Sequence, residues 1–198
     1  MMNFKAYSNV TKIVIPENIQ LSSNSFYNKF SYMKNLQNVS LPNSVNSLEK
    51  TFSNCLSLNM SPWCGENVIN MSYAYYNCRN LTGSPICGNN VTDMSGAYYI
   101  CINLTGSPVC GNNVTNMMGA YSNCSNLTGS PVFGEKVANM YRTYANCSNL
   151  TGSPVWGENV TDMSYTYDSC TNLASNGYFY SNNISNMQNC FGKRNIST

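Results

Sequence analysis

The chain has 198 residues, enough for one ordinary domain or one short solenoid. Only 9% of its residues are charged, the net charge is +2 and histidine is absent. That balance leaves no electrostatic footprint for nucleic acid, no apolar run approaches the roughly 20 residues needed to span a bilayer, and Ser–His and Cys–His nucleophilic pairs are excluded.

In chain order, Val10, Ile13, Ile15 and Ile19 alternate with polar residues around Pro16, which predicts a strand followed by a turn. The pattern returns in Val39, Leu41, Pro42 and Val45, each set off by one constant interval from Ile13, Ile15, Pro16 and Ile19. Between them Phe26, Phe30 and Met33 sit in a helical or irregular connection. These two rungs are degenerate, as the caps of a solenoid tend to be.

From residue 57 the spacing locks. Asn-Leu-Thr-Gly-Ser-Pro at 80–85 returns verbatim at 103–108, 126–131 and 149–154, which sets a 23-residue period. Such a period marks a stack of equivalent supersecondary units. In the rung 80–102, residues 81–87 predict a strand, Gly88 and Asn89 a turn, and Asn90 a helix N-cap with Asp93 at the third helical position. Asn159 and Asp162 repeat that arrangement. Val91, Met94, Tyr98, Cys101 and Leu104 then follow at spacings of 3, 4, 3 and 3, one apolar face of a short helix. The expected fold is an α/β solenoid, a leucine-rich-repeat-like stack of about eight strand–helix rungs, with a parallel sheet on one face and helices on the other. After Cys170 the register breaks, and Ile184, Met187 and Phe191 arrive one residue late, as in a C-terminal cap. The expected division of this continuous domain is 1–56 for degenerate repeats and N-terminal cap, 57–172 for regular repeats and 173–198 for the C-terminal cap.

Cysteine occupies two columns. Cys55, Cys78, Cys101, Cys124, Cys147 and Cys170 recur once per rung, and Cys64, Cys87 and Cys110 form a second series that continues as Phe133 and Trp156. A position that accepts Cys, Phe and Trp is an apolar pocket, so the thiols read as free, buried, small hydrophobes. With no CxxC pair and no histidine, neither a metal nor any other cofactor is expected. Free thiols, and a start without an apolar stretch and cleavage site, lead to the expectation of a reducing compartment.

The Ile13, Ile15, Pro16 and Ile19 pattern, the aromatic-x-x-Cys closures at 52–55 and 75–78 and the leucine that follows resemble the BspA-type leucine-rich repeat. The Asn-Val-Thr-Asp-Met block with its later tyrosine resembles the related DUF285 repeats. The resemblance runs from about Val10 to Phe191 and implies a binding scaffold without catalysis. Its members include bacterial and protist surface proteins that bind host proteins or other cells, and phage-borne proteins.

Within this chain the scaffold columns barely change, so specificity is expected where copies differ. One expected face lies on the helices and carries Tyr73, Tyr76, Arg79, Tyr99, Ile102, Arg142 and Tyr165, residue types favoured at interface hot spots. The other lies on the sheet and carries an apolar stripe of Trp63, Ile86, Val109, Val132, Val155 and Tyr178, which a partner or self-association would cover. The functional expectation is a non-enzymatic protein-binding solenoid with an unidentified protein partner, without nucleic acid or membrane. Together with the resemblance, it becomes a phage-encoded inhibitor in the cytoplasm of a bacterial host cell, binding a host defence protein. The alternative is a cell-surface or virion adhesin that recognises a receptor or glycan.

Overall fold

The computed structural model describes residues 9–21, 23–174 and 183–192. β1 (Lys12–Val14) and β2 (Asn38–Ser40) pair in parallel, with Ile13 opposite Val39. The offset between the two strands is the interval read from the sequence. Beyond β2 there is no further regular strand and no α-helix among the described residues. The rungs are instead runs of tight turns. They stack in parallel through single bridges that run Ser25, Ser47, Asn70, Asp93, Asn116, Asn139, Asp162 and Asn186.

The backbone of one rung shows how this works. The amides of Met94, Gly96, Tyr98 and Ile100 donate to the carbonyls of Asn116, Met118, Ala120 and Ser122 in the next rung, at 2.8–2.9 Å. The amides of Ala97, Tyr99 and Cys101 donate back three residues within their own rung, at 3.0–3.2 Å. The Ser95 amide donates to Asp93 Oδ1 at 2.8 Å. Every amide from 94 to 101 is therefore satisfied, alternately along the stack and within the rung.

The expected helix at 91–101 is thus corrected to a chain of three-residue hydrogen-bonded turns. An α-helix cannot form there because left-handed residues recur every fourth position: Tyr73 and Asn77 at φ 52° and 58°, Gly96 and Ile100 at 58° and 63°. Consecutive turns of this kind project side chains inward at nearly helical spacing. Val91, Met94, Tyr98, Cys101 and Leu104 are accordingly fully buried, as expected of the core. Asn90 and Asp93 do not cap a helix. Asn90 Nδ2 donates to the Glu66 carbonyl one rung away at 2.8 Å, and Asn159 makes the same bond to Glu135. Asp93 and Asp162 close Asx turns on Ser95 and Ser164.

The expected strand at 81–87 is also corrected. Gly83, Gly106, Gly129 and Gly152 have φ of 79–82°, which breaks extended structure. A Cβ at Gly129 would run into Ser107 Oγ of the preceding rung and crowd its Cβ, and φ of 82° is strained for any L side chain, so the two together favour glycine. The Thr105 amide bonds back to the Gly83 carbonyl at 2.9 Å, and the proline that follows the glycine is buried. The parallel bridges thus fall on the side expected to be helical, and the expected sheet side is an irregular wall.

That wall is tied to the turn stack by tyrosine. Tyr98 Oη donates to the Ile86 carbonyl at 2.6 Å and accepts the Ile86 amide at 3.2 Å. Tyr121 holds Val109 in the same two-way manner, Tyr144 holds Val132, Tyr167 holds Val155 and Tyr75 holds Trp63. The earlier rungs carry Phe30 and Phe52 in this column. Ser40, the equivalent of Trp63, pairs with Val14 in the strand ladder, and its carbonyl accepts the Ile15 amide at 3.0 Å. Tyrosine therefore begins where strand pairing ends. Phe30, Phe52, the five tyrosines and Phe191 form one continuous ring stack with centroids 5.1–5.8 Å apart.

The first cysteine column has a matching role. The thiols of Cys55, Cys78, Cys101, Cys124, Cys147 and Cys170 donate to buried carbonyls of the preceding rung at 2.9–3.0 Å. At the far end the Met163 amide reaches Asn186 and Asp162 bridges the same residue, a step one position longer than those from Ser47 to Asp162. That longer step accounts for the late arrival of the last apolar set.

Tyr121→Phe removes both partners of the Val109 peptide while keeping the ring stack. We expect it to destabilise the fold by roughly 1–3 kcal/mol, the cost of a stranded buried polar group, read as a lower urea midpoint. Phe52→Tyr, whose opposite backbone is already paired, should give no comparable gain.

Candidate functional site

The turns that build the stack also present outward columns. One column holds Lys50, Tyr73, Gly96, Gly119, Arg142 and Tyr165, all at positive φ between 52° and 61°. Beside it run Tyr76 and Tyr99, whose rings stack at 5.4 Å. Because Gly96 and Gly119 carry no side chain, the middle of the face is hollow, with a volume of about 250 Å³ lined by Tyr73, Tyr76, Tyr99, Met118, Tyr141 and Arg142 over the two glycines. Tyr73 leans across Gly96, where an added Cβ would lie 2.6 Å from its ring, whereas Gly119 has only an ordinary contact with Tyr99 at 3.5 Å. The Arg142 guanidinium lies 5.4 Å from the Tyr141 ring and 4.9 Å from the Tyr165 ring, against the corner that the two rings form edge to face.

Four residues of the expected helix face, Tyr73, Tyr76, Tyr99 and Arg142, thus converge on one concavity, and Tyr165 supports Arg142. Arg79 and Ile102 do not line it, and Arg79 Nε is bonded to Asn77 Oδ1 at 2.8 Å. Met118 and Tyr141 are additions. They belong to the column Ser72, Ser95, Met118, Tyr141 and Ser164, whose variation among copies is the signal that finds them.

On the other face Trp63, Ile86, Val109, Val132 and Val155 are half-buried. Trp63 packs against the core, and the backbones of all five are gripped by the tyrosines. Tyr178 lies outside the described residues. The Ser84 hydroxyl leans along the stack toward Gly106. A second, larger hollow of about 550 Å³ lies between Phe133 and Trp156.

None of the described residues forms a metal-binding group of three or more His, Cys, Asp or Glu side chains. No helix is long and apolar enough to cross a membrane among the described residues. All ten cysteines are free thiols. Burial pushes Cys55, Cys87 and Cys124 up to about 12 and Cys64 and Cys110 to about 11, which keeps them protonated and poor nucleophiles.

The stack is matched by two family models. The BspA type leucine rich repeat region matches residues 2–128 in six copies, more than half of the chain. The chain belongs to this BspA-type leucine-rich repeat family. The second model, a Mycoplasma protein of unknown function called DUF285, matches residues 88–196. The six copies end within the rungs where the tyrosine clamp has replaced the strands, so the family's repeat covers both rung types. No curated protein matches. A crystal structure of a leucine-rich repeat protein from Bacteroides ovatus ATCC 8483 is similar, at 16% identity and a TM-score of 0.49 over 91% of this chain. This BspA-type chain spans 57% of that protein's length.

Buried thiols have folded pKa values above their unfolded value near 9, so their stabilisation is complete below about pH 9 and is lost as pH rises toward the folded values of 11 to 12. The urea midpoint should be flat from pH 7 to 8.5 and fall steadily above pH 9. A flat profile to pH 11 would show that these thiols are not buried in the folded state.

Proposed function

We propose that this leucine-rich repeat chain is a non-enzymatic binding scaffold whose protein partner docks on the face holding the Tyr99–Gly119–Arg142 hollow. The carrying observation is convergence. Residues that differ between otherwise uniform rungs gather around one concavity, and they are the tyrosine and arginine types that dominate interface energetics. Two further features support the reading. Tyr73, Arg142 and Tyr165 stand at φ 52–57° in a left-handed position that every rung's turn carries and that glycine fills with least strain, so these bulky side chains are kept there at a backbone cost. The scaffold is also preformed by its backbone ladder, so docking orders little chain.

Within this reading we place the protein in a reducing cytoplasm. The support is the thiol ladder, since six cysteines donate hydrogen bonds as S–H and a disulfide would remove the donor. With that compartment goes the narrower reading of a phage-encoded inhibitor of a host defence protein, which rests on the family resemblance. The competing surface or virion adhesin would meet an oxidising environment. Self-association through the half-buried Ile86, Val109, Val132 and Val155 stripe is the second use of the scaffold.

The test is capture of a partner from host lysate by wild type and variants. Tyr99→Ala and Arg142→Ala should each abolish capture without changing the thermal midpoint, and Val109→Asp and Val132→Asp should leave it intact. A complex that survives the first pair and is lost with the second moves the interface to the opposite face. Denatured protein, freshly purified, should titrate ten thiols. Paired cysteines would overturn the cytoplasmic assignment.

A further inference from the structure

The hollow has a chemistry of its own. The Arg142 guanidinium stands 4.9 Å from the Tyr165 ring and 5.4 Å from the Tyr141 ring, and those rings meet edge to face, 6.1 Å apart at 81°, so together they hold it from one side. A guanidinium held against rings in this way keeps its in-plane N–H edge available for recognition. That edge is a rigid fork matched to a carboxylate, which it binds with two parallel hydrogen bonds. Among the described residues the Arg142 side chain has no hydrogen-bond or ion-pair partner, and the one ion pair is Lys50 with Glu49 at 3.8 Å. No acidic side chain lines the hollow. The charge of Arg142, an exposed side chain, is therefore positioned by the two rings and uncompensated.

Next to this edge is the open space over Gly119. Its walls are Tyr99, Met118 and Tyr141, which offer ring faces, a thioether and few directed hydrogen-bonding groups. A volume of about 250 Å³ falls below the roughly 300–1,000 Å³ of small-molecule and cofactor pockets and suits one or two inserted side chains. A sugar needs directed donors and acceptors all around its hydroxyls, and here they are confined to the tyrosine hydroxyls and the Arg142 fork in a largely apolar lining. Methionine and tyrosine walls suit an apolar or aromatic side chain.

Resting on the reading of this face as a protein-binding surface, we infer that the hollow recognises a peptide segment in which an apolar or aromatic side chain lies beside an Asp or Glu. The apolar side chain fills the space over Gly119, and the carboxylate meets the edge of Arg142. Gly119 is what makes the seat. The same left-handed column accepts Tyr73, Arg142 and Tyr165, so glycine there is not demanded by the backbone alone. Its missing side chain leaves room that a tyrosine would occupy.

The experiment selects displayed random heptapeptides on the folded wild-type chain, then measures synthetic, fluorescently labelled copies of the enriched sequences by anisotropy. Enriched peptides should place Asp or Glu within two positions of Phe, Tyr, Trp, Leu or Met. Replacing the acid by its amide, or Arg142→Gln in the protein, should weaken binding at least about tenfold, the scale of one charge-assisted contact. Arg142→Lys should recover only part of that loss. Gly119→Tyr should abolish binding with circular dichroism near wild type and a somewhat lower thermal midpoint, because a side chain at φ 61° is strained, whereas Gly119→Ala, which bears the same backbone cost without filling the hollow, should still bind. Peptides without an acid, or peptides indifferent to Arg142→Gln, overturn the carboxylate assignment and leave the protein-binding face standing. Peptides indifferent to Gly119→Tyr show that the hollow is not the seat. Binding restricted to phosphoserine versions assigns the anion as phosphate and overturns the acidic-residue proposal. A selection that enriches nothing overturns it too, leaving the face to the capture experiment. If an oligosaccharide array instead shows binding that is lost with Arg142→Gln, this inference and the protein-binding reading both fail.

Discussion

Among the described residues, each rung must satisfy its buried backbone without an α-helix and, beyond β2, without a regular strand. The rest of the structure follows from how that is done. Buried peptide groups left unpaired cost about 1–3 kcal/mol each, so the accounting has to close. Alternate amides of the turn segment bond to the next rung, and those between them bond three residues back. On the opposite wall a single tyrosine hydroxyl serves both the N–H and the C=O of one residue, as Tyr121 does for Val109. The cysteine thiols take carbonyls at the exit of the turns. Among the described residues, no buried side-chain N or O lacks a partner.

This arrangement links neighbours and little else. A rung contributes its Met, Tyr, Cys and Leu to the core only when the next rung lies over it, so the stack gains stability one interface at a time. The stacked tyrosine rings show the same dependence, since each is packed by the ring of the rung before and after. Phenylalanine marks where the clamp is not needed, at Phe30 and Phe52 beside the strand ladder. At the C-terminal side Phe191 closes the stack, where the register has slipped by one position.

Because both structural walls are engaged with the interior, variation is free only where side chains leave the stack. The left-handed column is such a place. Glycine is the low-strain residue there, yet three of its positions hold Tyr or Arg, and the two glycines between them open the hollow. A uniform scaffold thereby acquires one local irregularity of shape and charge. A preformed surface of this kind presents its groups with little ordering cost, and its selectivity resides in the departures from the repeat.

The period, the family resemblance and the buried columns were legible from the sequence, because apolar residues that recur once in every repeat have to meet in a shared core. Val91, Met94, Tyr98, Cys101 and Leu104 were placed inside on that ground and are inside. The N-terminal strands were legible for the same reason, as Ile13 and Val39 alternate with polar neighbours. The secondary structure of the regular rungs was not. Spacings of three and four residues are shared by a helix and by a string of three-residue turns, and only inter-rung hydrogen bonding, which no single rung contains, decides between them. Column comparison found Tyr73, Tyr76, Tyr99 and Arg142, but it could not show that Arg79 and Ile102 fall outside the hollow or that Tyr141 and Met118 complete it. Those depend on where each turn aims its side chain. The tyrosine clamp belongs to the tertiary structure as well: the sequence determined that a ring would be buried, and the stacking of complete rungs decided that its hydroxyl would hold the far wall.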